Sequence, residues 1–187
     1  MAEKRAHWQE RLAEDSPARL VFVDESGANT QMTRWCGRSL GGQRLVAPIP
    51  QGHYQTSTLI AAIRLKGPCA PWLFEGAMNG EMFLAWVRQG LVPLLHKHDL
   101  VILDNLATHK MAGVGQALET VGAQLLYLPP YSPDFNPIEN MWSKIKQILR
   151  SAAPRTQHQL MEAARTAFDA ISPTDCRAFF LHARYAI

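Results

Sequence analysis

The chain has 187 residues, with 19 basic and 16 acidic side chains for a net charge of +3, and it is 47% hydrophobic and 19% charged. That length supports one domain whose core needs no disulfide or structural metal, and the apolar content excludes general disorder. No apolar run reaches the ~18 residues of a membrane span, and no signal-peptide core follows the charged start, so no membrane partner is expected and the expected compartment is the cytoplasm. Three widely spaced cysteines, Cys36, Cys69 and Cys176, fit neither a disulfide framework nor a zinc knuckle and read as small buried hydrophobes. The mild positive charge admits a polyanionic partner without requiring one.

Residues 4–15 carry Trp8 and Leu12 on one helical face and predict a short amphipathic lead-in helix closed by Ser16-Pro17. Leu20-Val21-Phe22-Val23 follows, an unalternating apolar run that predicts a strand buried on both faces and ending at Asp24. From 28 to 76, glycines, prolines and short apolar runs such as Arg44-Leu45-Val46 and Thr58–Ile63 predict antiparallel strands joined by turns, with Trp35 and Trp72 in core or sheet-face positions. Asn79 caps a helix carrying Phe83, Leu84, Val87 and Leu91, which Pro93 ends. Leu100–Leu103, a helix over 110–121 stopped by Gly122, and Gln124–Leu128 predict a βαβ unit with parallel pairing. Pro129 to Pro137 holds four prolines and predicts an ordered extended loop, and two helices, at about 137–150 and 156–171, finish the chain.

Two of the apolar strands run into an aspartate, Asp24 and Asp104, and ligands of open α/β sheets collect beyond the carboxyl ends of strands. Two adjacent carboxylates repel unless a cation sits between them, and a hard divalent ion with oxygen ligands is the simplest such cation. Glu139 is the third candidate. Asn136-Pro137-Ile138-Glu139 also reads as a helix start with Asn at the N-cap, Pro at N1 and Glu as capping-box partner. Glu139, Ser143, Lys146 and Arg150 fall on one stripe of that helix, which suits either a metal-and-phosphate surface or a plain solvated face.

At this point the residues match a family. Asp24-Glu25-Ser26-Gly27, then Asp104-Asn105 with His109-Lys110, then Leu128-Pro129-Pro130-Tyr131-Ser132-Pro133-Asp134-Phe135-Asn136-Pro137-Ile138-Glu139 resemble the catalytic domain of mariner-type DDE transposases, closest to the bacterial insertion-sequence branch. The thirty-four residues between Asp104 and Glu139 agree with that superfamily, and the likeness runs from about residue 18 to 187. The resemblance implies an α/β, RNase H-like fold: a mixed five-stranded sheet, three strands antiparallel and two parallel-joined, flanked by helices. It implies that Asp24, Asp104 and Glu139 carry two magnesium or manganese ions, which stabilise the attacking and leaving oxygens at a phosphodiester. The reaction implied is strand cleavage at transposon ends and strand transfer to target DNA, in similar elements at a TA dinucleotide. A homodimer acting on double-stranded DNA in the bacterial nucleoid is the assembly implied.

His109 matches the histidine that follows the second aspartate in such transposases, and reads either as a phosphate or metal-water contact or as a solvated loop residue. Lys110, Lys144, Lys146 and Arg150 are the candidate contacts to the DNA backbone, or else exposed cations that keep helices soluble. Glu25 points away from Asp24 along a strand and is left out of the site. In family terms residues 1–17 are a connecting helix and linker and 18–187 the catalytic domain. The usual helix-turn-helix part is not in this sequence, which reads as the second frame of a split gene whose upstream frame supplies that part, as a truncated copy, or as a cut-down version of a longer chain. The alternatives are a silent DNA-binding or assembly remnant with the same fold, and an RNase H-like nuclease for another nucleic acid.

Overall fold

The computed structural model of the protein describes residues 2–13, 15–105 and 112–187. Five strands, β1 (Leu20–Asn29), β2 (Thr56–Arg64), β3 (Gly67–Glu75), β4 (Leu100–Leu103) and β5 (Gln124–Tyr127), form one sheet in the order β3-β2-β1-β4-β5. β1, β2 and β3 pair antiparallel, whereas β4 joins β1 and β5 in parallel. The mixed RNase H-like sheet expected from the sequence is therefore present. Its helices are α1 (Ala2–Ala13), α2 (Gly80–Trp86), α3 (Ala112–Glu119), α4 (Pro137–Ala152), α5 (Gln157–Asp169) and α6 (Pro173–His182).

Alternation along β1 and β4 sorts the core onto two faces. Leu20, Phe22, Leu100 and Ile102 meet Ile138, Met141, Trp142 and Ile145 of α4, with α5, α6 and α1 completing that side. Val21, Val23, Val101 and Leu103 meet Phe83 and Trp86 of α2 and Val114 and Leu118 of α3. Burial on both faces explains why these central strands lack a polar period. The lead-in helix is part of the core, since Trp8 and Leu12 are each 5% exposed.

The structure corrects several expectations. β1 does not end at Asp24 but continues along β2 to Asn29 opposite Thr56, because β2 supplies a hydrogen-bonded partner for the polar residues that follow. Between Thr30 and Gln55 no strand forms: Arg44-Leu45-Val46 is exposed, and Trp35 and Cys36 are exposed too, so neither is core. Trp72 does lie on the sheet face, partly buried beside Phe74, and Cys176 is fully buried. A third closing helix, α6, follows the two foreseen. Its signal was present, since Ser172 and Asp175 form a capping box with Pro173 at the first turn. Among the described residues no helix is long and apolar enough to cross a membrane.

Candidate active site

β1 and β4 run parallel with Leu20 opposite Leu100 and Phe22 opposite Ile102; Asp24 lies two residues beyond Phe22 on β1, Asp104 directly follows β4, and both line the same cleft. By strand alternation Asp24 shares the face of Phe22, which α4 covers, while Glu25 falls on the opposite side with Val21 and Val23.

α4 brings Glu139. The Asn136 side chain accepts a hydrogen bond from the Ile138 N–H at 3.4 Å, Pro137 fills the first position, and Glu139 sits exposed in the first turn. The backbone N–H that a capping-box glutamate would accept from, that of Asn136, is donated instead to the Pro133 carbonyl at 2.9 Å. Glu139 is thus not required by its own helix cap.

Asp24, Asp104 and Glu139 line one cleft of about 460 Å³, walled by Asn105, Leu128, the Pro129–Pro133 loop and Asn136. Burial, and then the charges of Glu139, Glu25 and Asp104, push the Asp24 carboxyl up to about 7, against a hydrogen bond from the Glu25 backbone that pulls it down. Among the described residues no three acid, histidine or cysteine side chains already form a metal cluster. The donor set still fits a hard divalent cation, because every donor is a carboxylate oxygen and a cation would relieve the repulsion that raises Asp24.

The other candidates divide. His109 and Lys110 lie outside the described residues. Lys146 and Arg150 line a second groove of about 370 Å³ with Asn29, Gln31, Trp35 and Tyr54, two and three turns along α4 from Glu139. Lys144 stands apart: its Nζ pairs with Asp175 Oδ2 at 2.6 Å, and Lys144 and Ser172 hold that carboxyl down to about 2. Asn105 and Ser132, which lie within the quoted motifs without a role assigned from sequence, also line the cleft.

A mixed sheet with one acid on β1, one directly after β4 and one on the helix packed over them defines an RNase H-like fold with an acidic cleft. The sequence narrows that class: the family model described as DDE superfamily endonuclease matches residues 19–161, and the chain belongs to that family. No curated protein sequence matches it. Among solved structures, the strand transfer complex of Mos1 transposase superposes with a TM-score of 0.74 at 16% identity, covering 96% of this chain and 56% of that one. The Mos1 mariner paired-end complex with Mn gives 0.73 at 15% identity with the same coverage of 96% and 56%. The catalytic domain of Mos1 mariner transposase gives 0.69 at 15% identity, covering 96% of this chain and 84% of that domain. At such identities the likeness speaks for the fold, and the chain spans only 56% of the length of the two complexed transposases.

Proposed function

We propose that this chain is the catalytic part of a mariner-type transposase of the bacterial insertion-sequence branch, which cuts double-stranded DNA at transposon ends and joins the freed ends to target DNA, a TA dinucleotide being the expected target. The observation that carries this reading is the gathering of Asp24, Asp104 and Glu139 around one cleft, with Asp24 raised to about 7 by burial and by its acidic neighbours. Residues 18–187 are the catalytic body and 1–17 the connecting helix. Recognition of the end sequence falls to a separate helix-turn-helix part, and the active assembly is a homodimer in the bacterial cytoplasm.

Asp24, Asp104 and Glu139 are the residues that hold magnesium or manganese, and two such ions would stabilise the attacking and leaving oxygens of an in-line displacement. Structures of Mos1 complexes with Mg and with Mn support that choice of metal. The chain's own contribution is positional. A loop holding four prolines cannot rearrange freely, so it presents a preformed wall to the scissile phosphate. Lys146 and Arg150 offer charge to phosphates two and three turns from Glu139, with His109, Lys110 and Lys144 as further backbone contacts.

The test is magnesium- or manganese-dependent nicking of DNA carrying the element's ends. Asp24→Ala, Asp104→Ala and Glu139→Ala are each expected to abolish it while circular dichroism shows the fold intact; nicking that survives all three overturns the assignment. Binding gives a separate result. Lys146→Glu with Arg150→Glu is expected to weaken DNA binding and to flatten the slope of log affinity against log salt by about 0.9 for each phosphate no longer neutralised, read by fluorescence anisotropy.

A further inference from the structure

The loop between β5 and α4 forms one wall of the acid cleft, and its prolines limit the backbone hydrogen bonds that can hold it. Pro129, Pro130, Pro133 and Pro137 have no N–H to donate, and Tyr131 sits in the left-handed region with φ +55°. Besides its own turn bonds, from the Phe135 N–H to the Ser132 carbonyl at 3.1 Å and from the Asn136 N–H to the Pro133 carbonyl at 2.9 Å, the loop is held among the described residues by groups from the two ends of the chain. The Arg5 guanidinium on α1 donates to Ser132 Oγ at 2.9 Å and to both carboxylate oxygens of Asp134 at 2.9 and 2.5 Å, and it lies 4.3 Å from the centre of the Phe135 ring. Below it, Trp8 Nε1 donates to the Tyr185 hydroxyl at 3.2 Å, and that hydroxyl donates to the Phe135 carbonyl at 2.8 Å. Trp8, Phe135 and Tyr185 are 5%, 2% and 8% exposed, so the chain of hydrogen bonds is largely buried, beside a cavity of about 260 Å³ that all three line. The Tyr185 ring also packs 5.1 Å from that of Phe22, two residues before Asp24 on β1. Arg5, Trp8 and Tyr185 all lie outside the residues matched by the family model, 19–161.

An exposed ion pair adds little stability, and Asp134 is 44% exposed. The geometry does something else: it ties two adjacent elements, the amino-terminal helix and the carboxyl-terminal tail, to the one loop that delivers Asn136 and Glu139. We propose that Arg5, Trp8 and Tyr185 are positioning residues that clamp the Pro129–Asn136 loop and thereby set Glu139 against Asp24. The catalytic consequence rests on the transposase reading above; the clamp itself does not.

Tyr185→Phe tests it with least disturbance, because the ring keeps its packing and only the hydroxyl is lost. Arg5→Ala removes the outer half, and Arg5→Asp combined with Asp134→Arg swaps the pair. In the full 187-residue chain, hydrogen exchange should speed up about fivefold at the Phe135 and Asn136 amides in each single variant. The dissociation constant for Mn²⁺, titrated calorimetrically without DNA, should rise about tenfold, as loss of an outer support does at metal sites, with Tm little changed. The swapped pair should recover most of both effects, which a general loss of packing would not. Loop exchange and Mn²⁺ affinity unchanged in both single variants, or no recovery in the swap, overturns the proposal. If the wild-type chain takes up no Mn²⁺ at all, the metal-dependent reading fails, and the loop exchange rates still decide whether the clamp exists.

Discussion

Asp24→Asn is expected to abolish metal-dependent cleavage and, at the same time, to make the metal-free protein more stable at pH 7 to 8. The activity side follows from the cleft. A bound metal supplies several kcal/mol of charge stabilisation at the transition state, and losing its ligand corresponds to a fall of about a thousandfold or more. The stability side follows from the direction of the Asp24 shift. Its carboxyl is raised from 3.8 to about 7 by burial first and by Glu139 and its other acidic neighbours second. Between those two values the native state holds a proton that the unfolded chain has released, so stability falls as pH rises through the window and the cost is complete above it. The full span corresponds to at most ~4 kcal/mol, or up to ~16 °C in Tm for a chain of this size. Asparagine keeps the shape and cannot ionise, so the variant should lose this pH dependence. Calorimetric melting in chelator at pH 5 and pH 8 measures both curves. Magnesium or manganese should then raise the wild-type Tm and leave that of Asp24→Asn nearly unmoved. A variant that melts below wild type at pH 8 in chelator would show that the buried Asp24 charge does not burden the fold.

That coupling of site and stability was only half legible in the sequence. The central strands were readable because Leu20–Val23 and Leu100–Leu103 are buried on both faces and leave an unbroken apolar run. Asp24 and Asp104 were readable as the polar residues that follow, and both line one cleft at that end of the sheet. What misled was composition without partner. Asp24-Glu25-Ser26-Gly27 looks like a turn but is strand, because β2 runs beside it from Thr56 to Ile63. Arg44-Leu45-Val46 looks like strand but has no neighbour to pair with, and the exposed Trp35 shows that a large apolar side chain alone does not imply burial. The ion pair of Lys144 was hidden because its partner, Asp175, sits on a helix not foreseen. The clamp on the acid loop was hidden for a plainer reason: its hydrogen bonds join residues 50 to 177 positions apart, and no local period records them.

Asp99→Ala is expected to do the reverse of Asp24→Asn, lowering stability sharply and leaving the chemistry of the folded protein intact. Asp99 precedes the first residue of β4, at the end of the sheet away from the cleft, and is 4% exposed. Its Oδ2 accepts from Arg64 Nη2 at 2.7 Å and from the His96 backbone N–H at 2.6 Å, while Arg64 also donates to the Leu94 carbonyl at 3.0 Å. Burial pushes the Asp99 carboxyl up, but the hydrogen bonds from Arg64 and His96 and the charge of Arg64 together outweigh it and leave it below 3.8. A lowered acid contributes stability that is present above the unfolded value and is lost as pH falls below it, opposite in sign to Asp24. Taken together, these two groups place the maximum stability of the metal-free protein at about pH 4, because the cost of Asp24 grows above the unfolded carboxylate value and the contribution of Asp99 is lost below it. Removing the carboxylate strands a largely buried guanidinium, which costs about 3–5 kcal/mol. A Tm about 10 °C lower follows, because each kcal/mol moves a chain of this size by ~2–4 °C. Replacing both partners, Arg64→Met with Asp99→Leu, should recover most of the loss, since a buried pair is often no better than apolar side chains of similar volume. Thermal melts of the three variants, with nicking rates measured well below their Tm, separate the terms. A single variant as stable as wild type would show that Arg64 reaches water on its own.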